Sequence, residues 1–264
     1  MHLSQSHIMT DSQNGNVVIN TSPDGIATIG FYHPAQNSLP AHLLRALTDK
    51  INEASANAQT KVIVLESAGE RTFCAGASFD ELLQIKDKEA GAVFFSGFAN
   101  VVNACRKSPK IIIARIQGKA VGGGVGLAAG ADYCLATEAA SIKLSELAIG
   151  IGPFVISPAV IRKIGLPAFS QLTIRAVDFQ SAQWAMQKGL YNEVYADIKQ
   201  LDEALDMLTH KLASYHPQAL IGLKQILWEG TEDWDQLLTE RAAISGELVL
   251  SEFTQQALNG FLKK

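Results

Sequence analysis

Three short stretches of this chain carry residue types that can do chemistry: Cys74-Ala75-Gly76-Ala77, Gly122-Gly123-Gly124-Val125-Gly126, and Glu146 within Leu144-Ser145-Glu146-Leu147-Ala148-Ile149-Gly150. Glycine lets backbone N–H groups approach a ligand closely. A helix N-terminus adds the positive end of a dipole. One N–H from each glycine turn would grip a single developing oxyanion, and a carboxylate beside them can move a proton.

Those residues need elements to hold them. The first turn follows the strand-like run Lys61 to Glu66; the second follows Lys110 to Ile116 and opens an Ala/Leu/Gly stretch, Gly123 to Gly130, that reads as a helix. Apolar runs Asn16 to Thr21 and Ile26 to Phe31, on either side of Ser22-Pro23-Asp24-Gly25, predict an N-terminal hairpin. Leu43, Leu44, Leu47, Ile51 and Ala54 recur at helical spacing after Pro40, and Glu89 to Lys107 reads as a second long helix stopped by Pro109. The triple-isoleucine strand that follows is expected to be buried on both faces, as in a parallel or mixed sheet. Short strands are expected at Tyr133 to Ala136 and Ser141 to Leu144.

Beyond them the pattern is helical: Val155 to Ile164, Ala168 to Arg175, Ser181 to Lys188, Lys199 to Tyr215, Pro217 to Glu229 and Trp234 to Leu250, with Gly165 and Gly189 as stops. The reading is an α/β fold with a β/α core over residues 16–195, a helical layer over 196–264 and a polar, disordered tail over 1–15.

With 264 residues, 47% hydrophobic and 18% charged, the chain can bury a large core. A net charge of −4, with no basic run before Lys263-Lys264, argues against a nucleic-acid partner. Cys74, Cys105 and Cys134 are widely spaced, which suggests neither a disulfide framework nor a zinc site and fits a cytoplasmic location. No apolar run approaches the roughly 20 residues of a membrane helix, so no membrane insertion is expected.

Leu127 stands where a dinucleotide fingerprint needs glycine, and Gly124 and Val125 stand where a phosphate loop needs Lys and Ser/Thr. No G-x-S-x-G elbow or H-E-x-x-H pair occurs. His33-Pro34 and His216-Pro217 read as structural. Taken singly, the glycine cluster also fits a tight strand-to-helix turn, and Glu146 an ordinary surface carboxylate.

Order and spacing together say more. The Phe73 to Ala77 turn, Gly118 to Asp132, Glu146 to Gly152, Ser181 to Val194 and His216-Pro217 resemble the enoyl-CoA hydratase/isomerase (crotonase) superfamily over nearly the whole chain after residue 16. The resemblance implies a crotonase-like spiral of ββα units around a mixed sheet, with the C-terminal helical layer mediating assembly into a homotrimer or dimer of trimers. It implies an acyl-CoA thioester substrate, with no separate cofactor because coenzyme A is part of that substrate, and no metal. It places the oxyanion donors on the N–H groups of Ala77 and Gly123 and the catalytic carboxylate on Glu146.

The chain also departs from that pattern. Two-carboxylate hydratases carry a glutamate three residues past the second donor, where this chain has Gly126. Ser78 stands where many members carry Asp, and an orienting role is the most it offers. Asp80 and Glu81, on a short helix expected to line the acyl pocket, are candidates to replace the missing carboxylate, with a solvated helix face as the alternative. Ala75, Phe261, Lys263 and Lys264 are candidates for contact with coenzyme A, frayed terminal lysines being the alternative. Gly150 to Val160 further resembles bacterial methylglutaconyl-CoA hydratase-like members. The expectation is therefore an enoyl-CoA hydratase; the alternatives are a Δ3,Δ2-enoyl-CoA isomerase using the single Glu146 and a non-catalytic acyl-CoA-binding subunit.

Overall fold

A computed structural model describes residues 13–262, with side chains as far as residue 260. Strands β1 (Asn16–Thr21) and β2 (Ile26–Tyr32) pair antiparallel, and the Gly25 N–H donates to Ser22 O at 2.9 Å to close the turn between them. Helix α1 (Ala41–Ala56) buries the expected Leu43, Leu44, Leu47, Ile51 and Ala54. Then come β3 (Val62–Ser67), β4 (Thr72–Cys74), α2 (Phe79–Gln84), α3 (Lys88–Lys107), β5 (Ile111–Ile116), β6 (Lys119–Val121), α4 (Gly123–Gly130), β7 (Tyr133–Thr137) and β8 (Ile142–Lys143). A single 3₁₀ turn, Glu146–Ile149, leads into α5 (Ser157–Ile174), α6 (Ala182–Gln187), β9 (Glu193–Tyr195), α7 (Ile198–Ala213), α8 (Pro217–Leu227), α9 (Trp234–Leu248) and α10 (Glu252–Leu262).

The strands form two sheets. The larger has the order β1-β2-β3-β5-β7-β9, parallel except for β1, and the smaller is a parallel β4-β6-β8. Each turn of the chain gives one strand to the large sheet and the next to the small one: β3 then β4, β5 then β6, β7 then β8. This is the spiral of ββα units around a mixed sheet that the resemblance implied. It brings the ends of β4, β6 and β8 side by side, and those three ends lead into the two glycine turns and Glu146.

Strand β5 is buried along its whole length, as its isoleucines require. Alternation sends Ile112, Ala114 and Ile116 into the cluster shared with α1, α3 and α4, while Ile111 and Ile113 join Val62, Val64 and Leu135 on the other face. Leu201 and Leu205 of α7 cover that second face. Asp132, just before β7, is held by Lys224 Nζ at 2.7 Å, Trp228 Nε1 at 2.6 Å and the Ile112 N–H at 2.7 Å, which ties α8 to the sheet.

Several elements differ from the sequence reading. Strands β4, β6 and β9 are three residues each, too short to display a period. The two helices expected on either side of Gly165 are arms of α5, broken there by its φ of 74° and ψ of 160°. Helix α9 stops at Leu248, and α10 follows as a separate helix. The tail reading falls mostly on residues 1–12, outside the described residues. Among the described residues no helix is long and apolar enough to cross a membrane, and no group of acidic, His or Cys side chains could hold a metal.

Candidate active site

The first glycine turn leaves β4 through Cys74 and Ala75. Gly76 adopts a φ of 88°, and a Cβ on it would lie 2.9 Å from Val121 O and 3.3 Å from the Gly123 nitrogen. A bare Cα therefore lets the two turns touch. Gly122 takes φ 55° and ψ −120°, a conformation closed to residues with side chains. Its carbonyl accepts the Val125 N–H at 2.9 Å and so starts α4. The Gly123 N–H, in the first turn of that helix, and the Ala77 N–H donate to no acceptor among the described residues. The structure thus leaves both predicted donors unengaged on neighbouring turns.

Glu146 opens the 3₁₀ turn beyond β8, and its Oε1 lies 2.9 Å from where a Cβ on Gly122 would stand. Its Oε2 is buried without a hydrogen-bond partner among the described residues. Burial raises its pKa from the usual carboxylate range to about 7, against a smaller lowering from its own backbone N–H. An acid poised near neutrality can both take and return a proton.

These groups share a narrow cavity of about 50 Å³. Ala75, Ala77, Gly123 and Glu146 line it, and Phe79, Leu82, Phe95, Phe98, Phe154 and Ile156 supply its apolar walls. Among the described residues, Ser145 and Ser245 are the other polar side chains on it. A wider groove of about 1170 Å³ lies elsewhere, lined by charged residues such as Arg71, Lys119, Asp202 and Glu203, and none of the glycine turns or Glu146 faces it. The smaller cavity is the candidate site because the free donors and the raised-pKa acid converge there.

The auxiliary residues behave differently. Gly126 is buried in α4, and a Cβ there would collide with Ile156 Cγ2 and meet Ile156 Cβ at 2.8 Å. Ser78 caps α2, its Oγ accepting the Glu81 N–H at 3.4 Å. The short helix α2 does line the cavity, but through Phe79 and Leu82; neither Asp80 nor Glu81 is on the wall. Glu81 Oε2 instead accepts the Ala41 N–H at 2.7 Å, at the start of a helix whose preceding Pro40 offers no capping side chain. Of the two readings of Asp80 and Glu81, this placement favours the helix face away from the cavity. Ala75 faces the cavity with its N–H given to Gln36 O at 3.2 Å. The side chain of Phe261, and Lys263 and Lys264 entirely, lie outside the described residues.

Sequence reasoning missed Phe98, whose ring abuts Gly123, and Ile156 opposite Gly126. Both are ordinary core residues by type, and their contacts cross some tens of positions.

Comparison with known proteins bears on the family and the fold. The sequence model of the enoyl-CoA hydratase/isomerase family matches residues 21–263. A probable enoyl-CoA hydratase of Bacillus subtilis is 28% identical over 241 residues, covering 90% of this chain and 93% of that protein. A short-chain-enoyl-CoA hydratase of Clostridium acetobutylicum is 27% identical over 252 residues, covering 94% and 95%. The crystal structure of an enoyl-CoA hydratase from Bacillus halodurans superposes with a TM-score of 0.85 at 21% identity, covering 92% of this chain and 99% of that one, a likeness of fold. With its spiral, its paired glycine turns and a match over nearly its whole length, the chain belongs to the enoyl-CoA hydratase/isomerase family.

Proposed function

We propose that the chain moves a proton on an enoyl-CoA thioester through Glu146 alone, and that Δ3,Δ2-isomerisation is the reaction this site supports best. One observation carries the reading: among the described residues Glu146 is the only carboxylate on the cavity wall, and Ile156 fills the space a second one at position 126 would need. In this reading the Glu146 carboxylate removes a proton from C2 of a 3-enoyl-CoA. The C–H electron pair forms the C1–C2 double bond as the thioester oxygen becomes an enolate, held by the Ala77 and Gly123 N–H groups. The protonated Glu146 then delivers the same proton to C4, the double bond moves to C2–C3, and the carbonyl re-forms. The apolar walls keep water away from the dienolate.

Hydration of a 2-enoyl-CoA is the second reading, favoured by the names of the full-length relatives. There the protonated Glu146 gives its proton to C2 while water adds at C3 and returns one of its own protons to the Glu146 carboxylate, and the water must be held without a second carboxylate. Incubating the purified protein with 2-enoyl- and 3-enoyl-CoA esters of several chain lengths separates the two. Isomerisation changes retention without changing mass, hydration adds the mass of one water, and no conversion at all would leave only a binding role.

The family resemblance and the exposed Leu166, Ile174 and Val177 around α5 support an assembly of three chains or a multiple of three. Light scattering at micromolar concentration tests this, a monomer being the result that refutes it.

A further inference from the structure

The loop from His33 to Ser38 holds the only non-glycine residues with positive φ among the described residues, Gln36 and Asn37, both at 56°. Residues with side chains seldom adopt this region, so the surroundings must impose it. Asn37 is 4% exposed, and its side-chain amide is engaged at both ends. Nδ2 donates to Ala68 O and Thr72 O, both at 2.8 Å, and Oδ1 accepts the His33 N–H at 3.0 Å. Two carbonyls at one end and an N–H at the other fix which end is nitrogen. One side chain thus ties the loop to the end of β3 and the start of β4.

The loop so held runs beside the first oxyanion turn. Gln36 O accepts the Ala75 N–H at 3.2 Å, the Leu39 N–H donates to Gly76 O at 2.8 Å, and Leu39 pairs with Ala77 in parallel register. Gly76 O and the Ala77 N–H belong to one planar, trans peptide unit, so holding the oxygen toward Leu39 turns the N–H to the opposite side. The donor's direction is therefore set by the 36–39 segment, and that segment's shape is set by Asn37.

We infer that Asn37 is a positioning residue for the oxyanion hole, acting through Leu39 and the Gly76–Ala77 peptide without touching substrate. The inference rests on the reading of the Ala77 and Gly123 N–H groups as donors to the thioester oxygen.

The test uses two probes. Acetoacetyl-CoA ionises to an ultraviolet-absorbing enolate that an oxyanion hole stabilises, whereas S-butyl-CoA is a thioether with no carbonyl. Asn37→Gly tolerates positive φ and removes the amide. It is expected to bind S-butyl-CoA like the wild type while lowering the enolate-to-keto ratio of bound acetoacetyl-CoA by about tenfold, a fraction of the loss of a whole donor. For an enoyl-CoA that the wild type converts, kcat falls by roughly 10²-fold with KM little changed, as for a donor displaced by about an ångström. Asn37→Asp keeps the acceptor for His33, sets an oxygen against the two carbonyls, and is expected to show the same loss should Asn37→Gly not fold. A folded Asn37→Gly or Asn37→Asp with wild-type enolate ratio and kcat overturns the inference. A wild-type protein that does not favour the bound enolate overturns the oxyanion-hole reading itself, and this inference with it.

Discussion

Ile156 stands where a side chain on Gly126 would have to go: a Cβ built on Gly126 meets Ile156 Cβ at 2.8 Å and its Cγ2 closer still. The two residues together fill with packed hydrocarbon the space that a side chain at position 126 would occupy. Gly126→Glu alone is therefore expected to destabilise the fold by about 1–3 kcal/mol, the usual range for overpacking, and to gain no hydration activity. Gly126→Glu combined with Ile156→Ala makes room, places the new carboxylate in the first turn of α4, and is expected to create or raise hydration of a 2-enoyl-CoA. Product analysis by mass reads the outcome; a double variant that folds and hydrates no better than the wild type would count against the steric account.

Glu146→Gln keeps the shape of the side chain and removes its capacity to carry the proton. Its kcat is expected to fall by at least about 10²-fold, the low end of general acid–base contributions, with coenzyme A ester affinity nearly unchanged. Unchanged turnover on any ester the wild type converts would refute the proposed chemistry.

The raised pKa of Glu146 sets a pH profile. For abstraction from C2 the free protein needs the carboxylate, so kcat/KM is expected to rise with pH and level off above about 7. The same shift acts on stability. Between the ordinary value of 4.5 and about 7 the folded chain keeps a proton on Glu146 that the unfolded chain releases, so this group's contribution falls as pH rises through that window. Glu146→Gln removes the effect, and its melting temperature relative to wild type should be higher at pH 8 than at pH 4.5. A difference independent of pH would show that Glu146 titrates normally.

Away from the site, Lys224→Met is expected to lower unfolding free energy by about 3–5 kcal/mol, because it leaves the Asp132 carboxylate buried without its cation. Both side chains are nearly inaccessible, at 3% and 2% exposure, so solvent offers little compensation. Denaturant titration at neutral pH measures the loss, and a change under about 1 kcal/mol, the value of a surface pair, would refute it.

The parts of the fold visible in the sequence were those with a strong local signature. The hairpin announces itself through Ser22-Pro23-Asp24-Gly25, β5 through three consecutive isoleucines, and the two glycine turns through glycines following apolar strands. Glu146 stands out in the sequence through its spacing from those turns and its apolar neighbours Leu144, Leu147 and Ile149. The burial that perturbs it comes from Gly122 and from walls built by distant segments. Asn37 escaped notice because the two carbonyls its Nδ2 holds lie 31 and 35 residues away and its turn contains no glycine. Ile156 escaped because one isoleucine reads like another until a missing Cβ is placed opposite it. For Glu81 the sequence shows an acid on a helix but not that the neighbouring α1 lacks a side-chain cap, which its carboxylate supplies.

The three cysteines are free and buried. Burial pushes the Cys74 thiol up to about 12, a shift that the Gly76 N–H, donating to its sulfur at 3.4 Å, only partly offsets. Alkylating reagents react with thiolates, so the native chain should be nearly inert to iodoacetamide, and whatever label it takes up must enter through transient opening. Cys74 lies under the turn that carries the Ala77 donor, and its carbonyl packs against Gly124 of α4. The labelling rate at Cys74, resolved by peptide mass, therefore acts as a clock for how often that turn parts from the helix, and an ester seated in the cavity should slow it.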